Sequence, residues 1–235
     1  MSSPATLTST TCPPAAFVRL TNQPWQDTST PAWQAFARSW DDLALDAYMG
    51  DGGRYRQRRY GAFRLDARGL TRLPHKAHYQ ELAFNPLNGG IARWFEPMTA
   101  QSATATPLVQ AALGLQTMLD TRSANTPALS WDVEAHQFRI LATPDAEGQP
   151  TPEGLHRDGR HWVFIMLVAR HNITGGETLI ADNDARPLAR FTLMQPGDAL
   201  LLDDRRLRHA TSSIRPSDPD RAGWRDALVL TFAPA

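Results

Sequence analysis

The sequence predicts a mainly β protein with flanking helices, an α+β class whose core is a double-stranded β-helix, or jelly roll. Two observations lead to this prediction. After residue 130, short apolar stretches alternate with turns that contain glycine and proline, which is typical of antiparallel strands. Before residue 130, two segments carry apolar residues at helical spacing, so helices are expected to pack on one side of the sheet.

Length and composition predict a single domain. The 235 residues are enough for one large core, and all-β folds of this length often form one domain. The first fifteen residues are rich in Ser, Thr and Pro, which is typical of a loosely packed terminus. We therefore expect an N-terminal tail at residues 1–15 and one domain at residues 16–235.

The two predicted helices lie at residues 31–48 and 107–121. A Thr-Pro pair at 30–31 and another at 106–107 each supply an N-cap residue followed by proline at the first helical position. Apolar side chains then recur at helical spacing in both segments. We expect these apolar faces to pack against the sheet rather than to bind a ligand.

The predicted strands are short segments of apolar or alternating character that are bounded by turn residues. Residues 91–97 fit either a strand or a loop, and the proline-rich residues 144–152 predict a loop at the rim of an active site. The predicted strands cover residues 16–20, 54–64, 79–85, 131–141, 163–169, 177–181, 189–194, 199–202 and 225–232.

Charge and cysteine content exclude several classes of protein. Lys plus Arg and Asp plus Glu both number 24, so no overall field attracts nucleic acid or an anionic membrane. The single cysteine, Cys12, rules out an internal disulfide framework and fits a reducing compartment. No run approaches the roughly 18 apolar residues of a membrane span, and the N-terminus lacks a secretory signal pattern. We expect a cytoplasmic protein without nucleic-acid or membrane partners, and its oligomeric state is left open.

One short motif has clear chemical content, the His-x-Asp pair of His156 and Asp158 that precedes the most apolar run of the chain. On an extended chain, residues two apart point to the same face, so an imidazole and a carboxylate are offered to one point. Alone, such a pair fits a polar loop equally well. His209, on a later extended segment, supplies a second imidazole. Two histidines and one carboxylate form the facial triad of non-haem iron(II) oxygenases.

Further segments surround this motif and extend the pattern. Arg225 begins an apolar strand near the C-terminus, so a cation stands at the head of a buried segment. The segments read P-T-P-E-G-L-H-R-D-G (150–159), R-H-N-I-T-G-G-E (170–177), P-G-D-A-L-L-L-D-D-R-R-L-R-H (196–209), R-D-A-L-V-L-T-F (225–232), R-Y-R-Q-R-R-Y-G-A-F (54–63) and H-Y-Q-E-L-A-F-N-P-L-N-G-G (78–90).

These segments resemble the iron(II)- and 2-oxoglutarate-dependent dioxygenases, and more narrowly the bacterial enzymes of the L-isoleucine dioxygenase type, which hydroxylate free amino acids. The resemblance implies that His156, Asp158 and His209 are the catalytic, metal-binding residues and hold Fe(II). It also implies 2-oxoglutarate as cosubstrate and O₂ as oxidant, with succinate and CO₂ as products. Related halogenases lack the carboxylate ligand, so the presence of Asp158 favours hydroxylation.

The resemblance further implies that Arg225 binds the distal carboxylate of 2-oxoglutarate, because a guanidinium matches a carboxylate in a bidentate way. Thr211 or Thr231 would add a hydroxyl group to the cosubstrate site. Arg215 and Arg221 remain alternatives to Arg225, although both lie in a Pro- and Asp-rich segment that looks exposed.

The substrate implied by the resemblance is a free L-amino acid, with an aliphatic side chain favoured. Its carboxylate needs a cation, for which Arg54, Arg58, Arg93 and Arg139 are candidates. Alternation in strand 131–141 places Gln137 and Arg139 on one face, and we expect both to reach the pocket. His136, on the other face, is interpreted as a hydrogen-bonded structural residue. The parity of strand 54–64 groups Arg54, Arg56 and Arg58 on one face but does not say which face lies inside.

The sequence leaves three alternatives open. The same chemistry could act on a peptidyl, carrier-bound or other small-metabolite substrate. A metal-bound jelly roll without oxidation would have a binding or regulatory role, but it would not need the cation at Arg225. A nucleic-acid demethylase of the same fold would need a basic groove, which binding at low salt would reveal.

Overall fold

The computed structural model of the protein describes residues 16–21, 23–122 and 130–235. The predicted tail at residues 1–15, with Cys12, lies outside the described residues, so the division into tail and domain stays a prediction. The helices are α1 (Pro31–Arg38), α2 (Ala100–Ala103) and α3 (Thr106–Arg122). The strands are β1 (Phe17–Leu20), β2 (Ala44–Leu45), β3 (Arg56–Asp66), β4 (Gly69–Arg72), β5 (Trp131–Ala142), β6 (Trp162–His171), β7 (Ile173–Gly175), β8 (Glu177–Asp182), β9 (Pro187–Thr192), β10 (Ala199–Asp203), β11 (Leu207–Thr211), β12 (Ile214–Pro216) and β13 (Gly223–Pro234).

Two layers of antiparallel strands form the framework. Within the described residues, the larger layer is an eight-stranded sheet in the order β1-β10-β6-β13-β5-β3-β2, with β4 paired to β3. The smaller layer consists of the sheet β11-β8-β9 and the pair β12-β7. The mainly β architecture predicted from the sequence is therefore confirmed.

The two faces of the larger sheet bury different clusters of side chains. On one face, Trp131 and Leu230 pack in one core cluster with residues of α1 and α3, including Leu115. On the other face, Ile165 of β6 packs in a second cluster with Ile180 of β8 in the smaller layer. The helices therefore cover one side of the sheet, and the space between the two layers is left for a site.

Strand β13 shows how this arrangement positions polar groups. Its side chains alternate in direction, as the period of two in a β-strand requires. Leu228, Leu230 and Phe232 belong to the helix-covered core. The alternate residues line cavities between the two layers, namely Arg225, Ala227, Val229 and Thr231.

The predicted helix at 31–48 is too long. Helix α1 ends at Arg38, a 3₁₀ turn follows at Ser39–Asp42, and β2 begins at Ala44. Two acidic residues at the end of a helix oppose its dipole, and Asp42 instead pairs with Arg59 of β3. Trp40 remains buried because its indole N–H donates to the carbonyl of Phe138 at 3.0 Å.

The predicted strand at 79–85 is wrong, because this segment forms turns. Buried amide side chains replace a strand ladder there: Asn85 donates to Gln80 at 3.1 Å, and Gln80 donates to the carbonyl of Asp158 at 3.2 Å. Residues 91–97 are a loop held by isolated bridges, one of which joins His78 and Arg93. The segment of Arg215 begins with the short strand β12.

The other predicted elements are confirmed within one to three residues at each end, including α3, β5, β6 and β8. His156 and Asp158 differ from the expectation of a strand: they precede β6 on a segment whose single bridge is at His156.

Among the described residues, no helix combines the length and the apolar character that crossing a bilayer demands.

Replacing Leu115 by alanine is expected to lower the free energy of unfolding by about 2–5 kcal/mol, because it leaves a cavity under α3. Leu115 is fully buried in the helix-covered core. Leu113 lies on the same helix and is 41% exposed, so Leu113→Ala is the matched control and should change stability by roughly 0.5 kcal/mol or less. Urea unfolding of both variants measures the difference, and equal effects would contradict the docking of α3 described above.

Candidate active site

His156, Asp158 and His209 come together between the two layers. His156 and His209 lie opposite each other in an antiparallel bridge, with backbone hydrogen bonds of 3.1 and 2.9 Å between them. Because directly opposed residues project to the same face, their ring centroids are 4.4 Å apart. A carboxylate oxygen of Asp158 lies 3.6 Å from His156 Nε2 and the other 3.9 Å from His209 Nε2. One ligand atom from each residue lies within 4.8 Å of the others.

Neighbouring groups hold the His156 side chain and the backbone that carries Asp158 in place. The Nδ1 atom of His156 donates to the carbonyl of Gly154 at 2.9 Å, since a carbonyl can only accept, and this leaves Nε2 free as a ligand. The carboxylate of Asp204 accepts the backbone N–H groups of Asp158 and Arg160, both at 3.0 Å. Asp204 therefore fixes the segment that carries Asp158.

The charges of the three groups suit a divalent cation. Burial alone would raise the pKa of Asp158, but its hydrogen bond to His156 and the two imidazoles hold that pKa well below its usual range. Burial, reinforced by His156, lowers the pKa of His209 to about 4. Burial opposes protonation of His156, but Asp158 and Glu153 raise its pKa to about 9. One carboxylate and two imidazole nitrogens at a buried point fit a ferrous ion, which would replace the proton on His156.

A second group, His78, Glu134 and His136, also has close ligand atoms, but its lone pairs are already in use. Glu134 accepts from Tyr60 at 3.0 Å and pairs with Arg160 at 2.5 Å and with His78 at 3.0 Å. His136 Nδ1 lies 2.6 Å from the guanidinium of Arg58. Because cations already surround these groups, this cluster does not suit a metal ion.

Arg225 projects from β13 into the same interlayer space and is 4% exposed. Among the described residues, its Nε and Nη2 atoms have no hydrogen-bond partner. Burial, reinforced by the nearby Arg170, lowers the pKa of Arg225 to about 10. A buried guanidinium with free donors is costly unless a ligand satisfies it, so the arrangement fits a bound carboxylate such as that of 2-oxoglutarate.

Two adjoining chambers make up the site. The first, which we call the apolar chamber, contains the metal-binding group, Arg225 and Thr211, with apolar walls that include Ile165. The second, the polar chamber, contains Arg58, His136, Thr231 and other polar groups. Both chambers are lined by a shared wall that consists of Arg56, Phe138, Glu153, Asp158 and Val229.

The structure places the predicted substrate residues in different environments. Arg58 and Arg93 line the polar chamber. Arg54 is exposed and does not line either chamber. Gln137 and Arg139 point to the helix side of the sheet, where Gln137 donates to Ser39 at 2.8 Å and Arg139 pairs with Asp226 at 2.8 Å. We therefore correct the expectation that Arg54, Gln137 and Arg139 reach the pocket.

The lining of the chambers includes charged or titratable residues that the sequence did not assign to the site, among them Arg56, His136 and Glu153. The parity of β3 had grouped Arg56 with Arg58, so one confirmed inward residue would have identified the other. The pattern of β5 was ambiguous, because the face of Gln137 carries Trp131 and Val133 while the opposite face carries Phe138 and Ile140. Glu153 gave no signal apart from its place three residues before His156.

Comparison with known proteins identifies the family. The sequence model of the family described as 2OG-Fe dioxygenase matches residues 37–231. The chain belongs to this family. The dioxygenase thus uses Fe(II), 2-oxoglutarate and O₂, as the resemblance implied.

Curated relatives and solved structures agree with this assignment. The dioxygenase is 29% identical over 198 residues to the 3(1)-hydroxy-L-isoleucine 4-dioxygenase of Pantoea ananatis, covering 83% of this chain and 78% of that one. It is 28% identical over 159 residues to the L-isoleucine-4-hydroxylase of Bacillus thuringiensis, covering 66% of this chain and 65% of that one.

Among solved structures, a BsmA homologue from Methylobium petroleophilum PM1 superposes with a TM-score of 0.81 at 36% identity, covering 94% of this chain and 91% of that one. IDO from Bacillus thuringiensis superposes with a TM-score of 0.74 at 19% identity, covering 94% of each chain. The likeness to IDO concerns the fold alone. Together with the two-layered antiparallel architecture, these neighbours confirm the jelly-roll prediction.

Replacing Asp204 by asparagine is expected to weaken Fe(II) binding by about 10- to 100-fold, the usual effect of losing a group that orients a metal ligand. An amide offers one acceptor where the carboxylate accepts two backbone N–H groups, so the segment of Asp158 loses a constraint. Calorimetric titration of the metal-free dioxygenase with Fe(II) under anaerobic conditions measures the change. Asp182→Asn, at the last residue of β8, is the control, because the Asp182 carboxylate also accepts backbone N–H groups. Equal Fe(II) affinities in both variants would contradict the role of Asp204.

Proposed function

We propose that the dioxygenase hydroxylates an unactivated C–H bond of a free L-amino acid with an aliphatic side chain, releasing succinate and CO₂. The observation that carries the proposal is the adjacency of the two chambers, because a metal-binding group and a free buried guanidinium lie beside a chamber lined with arginines. Cations in that second chamber suit the carboxylate of an amino acid. The printed names of both curated relatives refer to L-isoleucine or its hydroxy derivative, which supports the choice of substrate class.

Specific residues take specific roles in this proposal. His156, Asp158 and His209 hold Fe(II), and Arg225 binds the distal carboxylate of 2-oxoglutarate. Thr211 lines the same chamber as Arg225 and adds a hydroxyl group to the cosubstrate. Thr231 lines the polar chamber instead. Its buried hydroxyl group has no hydrogen-bond partner among the described residues, so we assign it to the substrate side.

The aliphatic preference follows from the shared wall. Phe138 and Val229 line both chambers, as does Asp158 of the metal-binding group. An apolar side chain that contacts them is held next to the metal position and excludes water from it. When bound there, Fe(II) and 2-oxoglutarate with O₂ supply the oxidation, in which one oxygen atom enters the C–H bond and the other enters succinate.

The test is succinate formation from 2-oxoglutarate with Fe(II), ascorbate and O₂ across the twenty free amino acids. We expect one or a few aliphatic amino acids to stimulate succinate release and to gain one oxygen atom, detected by mass spectrometry. Slow succinate release that no amino acid stimulates would contradict a free amino acid as substrate. It would favour a peptidyl, carrier-bound or other small-metabolite substrate. Stimulation without an oxygenated product would contradict hydroxylation.

A further inference from the structure

The cations of the polar chamber are unequally neutralised. Arg56 and Arg58 both contact the buried Asp46, at 2.7 and 3.4 Å, and Arg160 pairs with Glu134 at 2.5 Å. Arg93 is different, because none of the carboxylates in the described part of the chain forms an ion pair with it. A positive charge that faces the chamber is thus left for a ligand.

Arg93 is 2% exposed, so solvent does not compensate its charge. Its Nε atom has no hydrogen-bond partner among the described residues, and its Nη2 atom makes a long contact of 3.3 Å with Gln80. The carbon of the guanidinium lies 5.4 Å from the ring centroid of Phe95, a cation–π contact that does not satisfy its N–H donors. A buried guanidinium with a free N–H donor and no paired carboxylate is suited to bind the carboxylate of a ligand.

Glu153 is the complementary group on the shared wall. Its side chain is 7% exposed, and Oε1 lies 3.5 Å from Nε2 of His156. Oε2 is buried and has no partner within the described residues. Glu153 is not among the three residues whose ligand atoms are mutually close. A buried carboxylate oxygen without a donor needs one from a ligand, and Glu153 lines both chambers, so a ligand in the polar chamber can supply that donor.

We propose that Glu153 binds the α-ammonium group and Arg93 the α-carboxylate of the substrate, so that the polar chamber selects amino acids whose two ends are both free. This inference rests on the proposed function and adds the selection rule. Acylation of the amine would leave Glu153 buried without a donor, and amidation of the carboxylate would leave Arg93 buried without an acceptor. A site built around buried charged groups rejects ligands that leave those groups unpaired.

The first experiment uses the wild-type dioxygenase with Fe(II) and 2-oxoglutarate in the absence of O₂, so that binding is measured without turnover. The probes are L-isoleucine, L-leucine and L-valine, each with its N-acetyl and its carboxamide derivative, titrated by calorimetry. We expect both derivatives to bind at least about 30-fold more weakly than the parent amino acid, a ratio that corresponds to roughly 2 kcal/mol.

The second experiment assigns each charge to its residue. Glu153→Gln should weaken binding of the free amino acid by about tenfold or more and leave the affinity of the N-acetyl derivative unchanged. Arg93→Met should weaken the free amino acid similarly and leave the carboxamide unchanged, while Arg93→Lys should retain part of the affinity. Glu147→Gln and Arg190→Met, at exposed ion pairs outside both chambers, are the controls that should bind like the wild type.

The outcomes separate the selection rule from the proposed function. Failure of the wild type to bind any of the three amino acids would overturn both. Binding of the amino acids with equal affinity for their derivatives, or unchanged affinity in Glu153→Gln and Arg93→Met, would overturn the selection rule and leave the proposed function standing. A loss of Fe(II) affinity in Glu153→Gln as large as its loss of amino acid affinity would make Glu153 a metal ligand and would also overturn the rule.

Discussion

Replacing His156, Asp158 or His209 by alanine is expected to lower turnover by at least about a thousandfold, equivalent to roughly 4 kcal/mol of transition-state stabilisation. Each change removes one of three donors at a buried point, so Fe(II) is no longer held in a geometry that leaves positions open for cosubstrate and O₂. Succinate formation measures activity, and anaerobic titration with Fe(II) measures metal affinity.

The matched control is His161→Ala, because His161 lies in the same segment but outside the metal-binding group. This variant should keep its Fe(II) affinity. Circular dichroism of every variant should show the wild-type strand signal, since the backbone bridge between residues 156 and 209 does not depend on the imidazoles. Wild-type turnover in any of the three alanine variants would remove that residue from the proposed iron site.

Replacing Arg225 by alanine is expected to raise the dissociation constant of 2-oxoglutarate by about 30-fold or more, because truncating one partner of a buried charged pair costs roughly 2–5 kcal/mol. The affinity for Fe(II) should stay the same. The stability of the ligand-free protein should not fall, because the variant also removes a buried cation whose Nε and Nη2 atoms have no partner in the described part of the chain. Thermal unfolding with and without 2-oxoglutarate separates these effects, since a ligand stabilises in proportion to the logarithm of its concentration over Kd.

Arg215→Ala serves as the control for Arg225. Arg215 is an exposed residue that pairs with Glu147 and was the alternative cosubstrate residue on sequence grounds. It should leave the 2-oxoglutarate requirement unchanged. If Arg215→Ala raised the dissociation constant of 2-oxoglutarate and Arg225→Ala did not, the cosubstrate would bind beside Arg215 of β12 and not in the apolar chamber.

Several parts of the site could be predicted because they depend on short stretches of chain. The spacing of His156 and Asp158 is a local property, and the alternation in β13 is another. The family resemblance then added His209 and Arg225 to the site, although the sequence does not give the distances between these residues in space. The structure brings the three metal-binding candidates together through a backbone bridge between residues 53 positions apart, a pairing that no local pattern encodes.

Other parts could not be predicted in this way. Strand β5 has polar side chains on both faces, and its pattern alone did not show that α1 and α3 cover the face of Gln137 and Arg139. The segment at 79–85 has strand-like residues, but its amide side chains bind Asp158 and one another in place of a ladder. In β5 tertiary contacts decide which face is covered, and at 79–85 they override the local preference for a strand.

By itself the sequence determined the mainly β class, most strand and helix positions, the metal-binding candidates and the family resemblance. Periodicity and residue spacing report these properties directly, because they depend on neighbours along the chain. The tertiary structure alone decided which arginines line the chambers and that Asp46 contacts both Arg56 and Arg58. It also decided that Arg93 and Glu153 keep atoms without a hydrogen-bond partner among the described residues. The physical reason is that the free energy of a buried charge depends on partners brought close by folding, and the linear order of residues does not contain those distances.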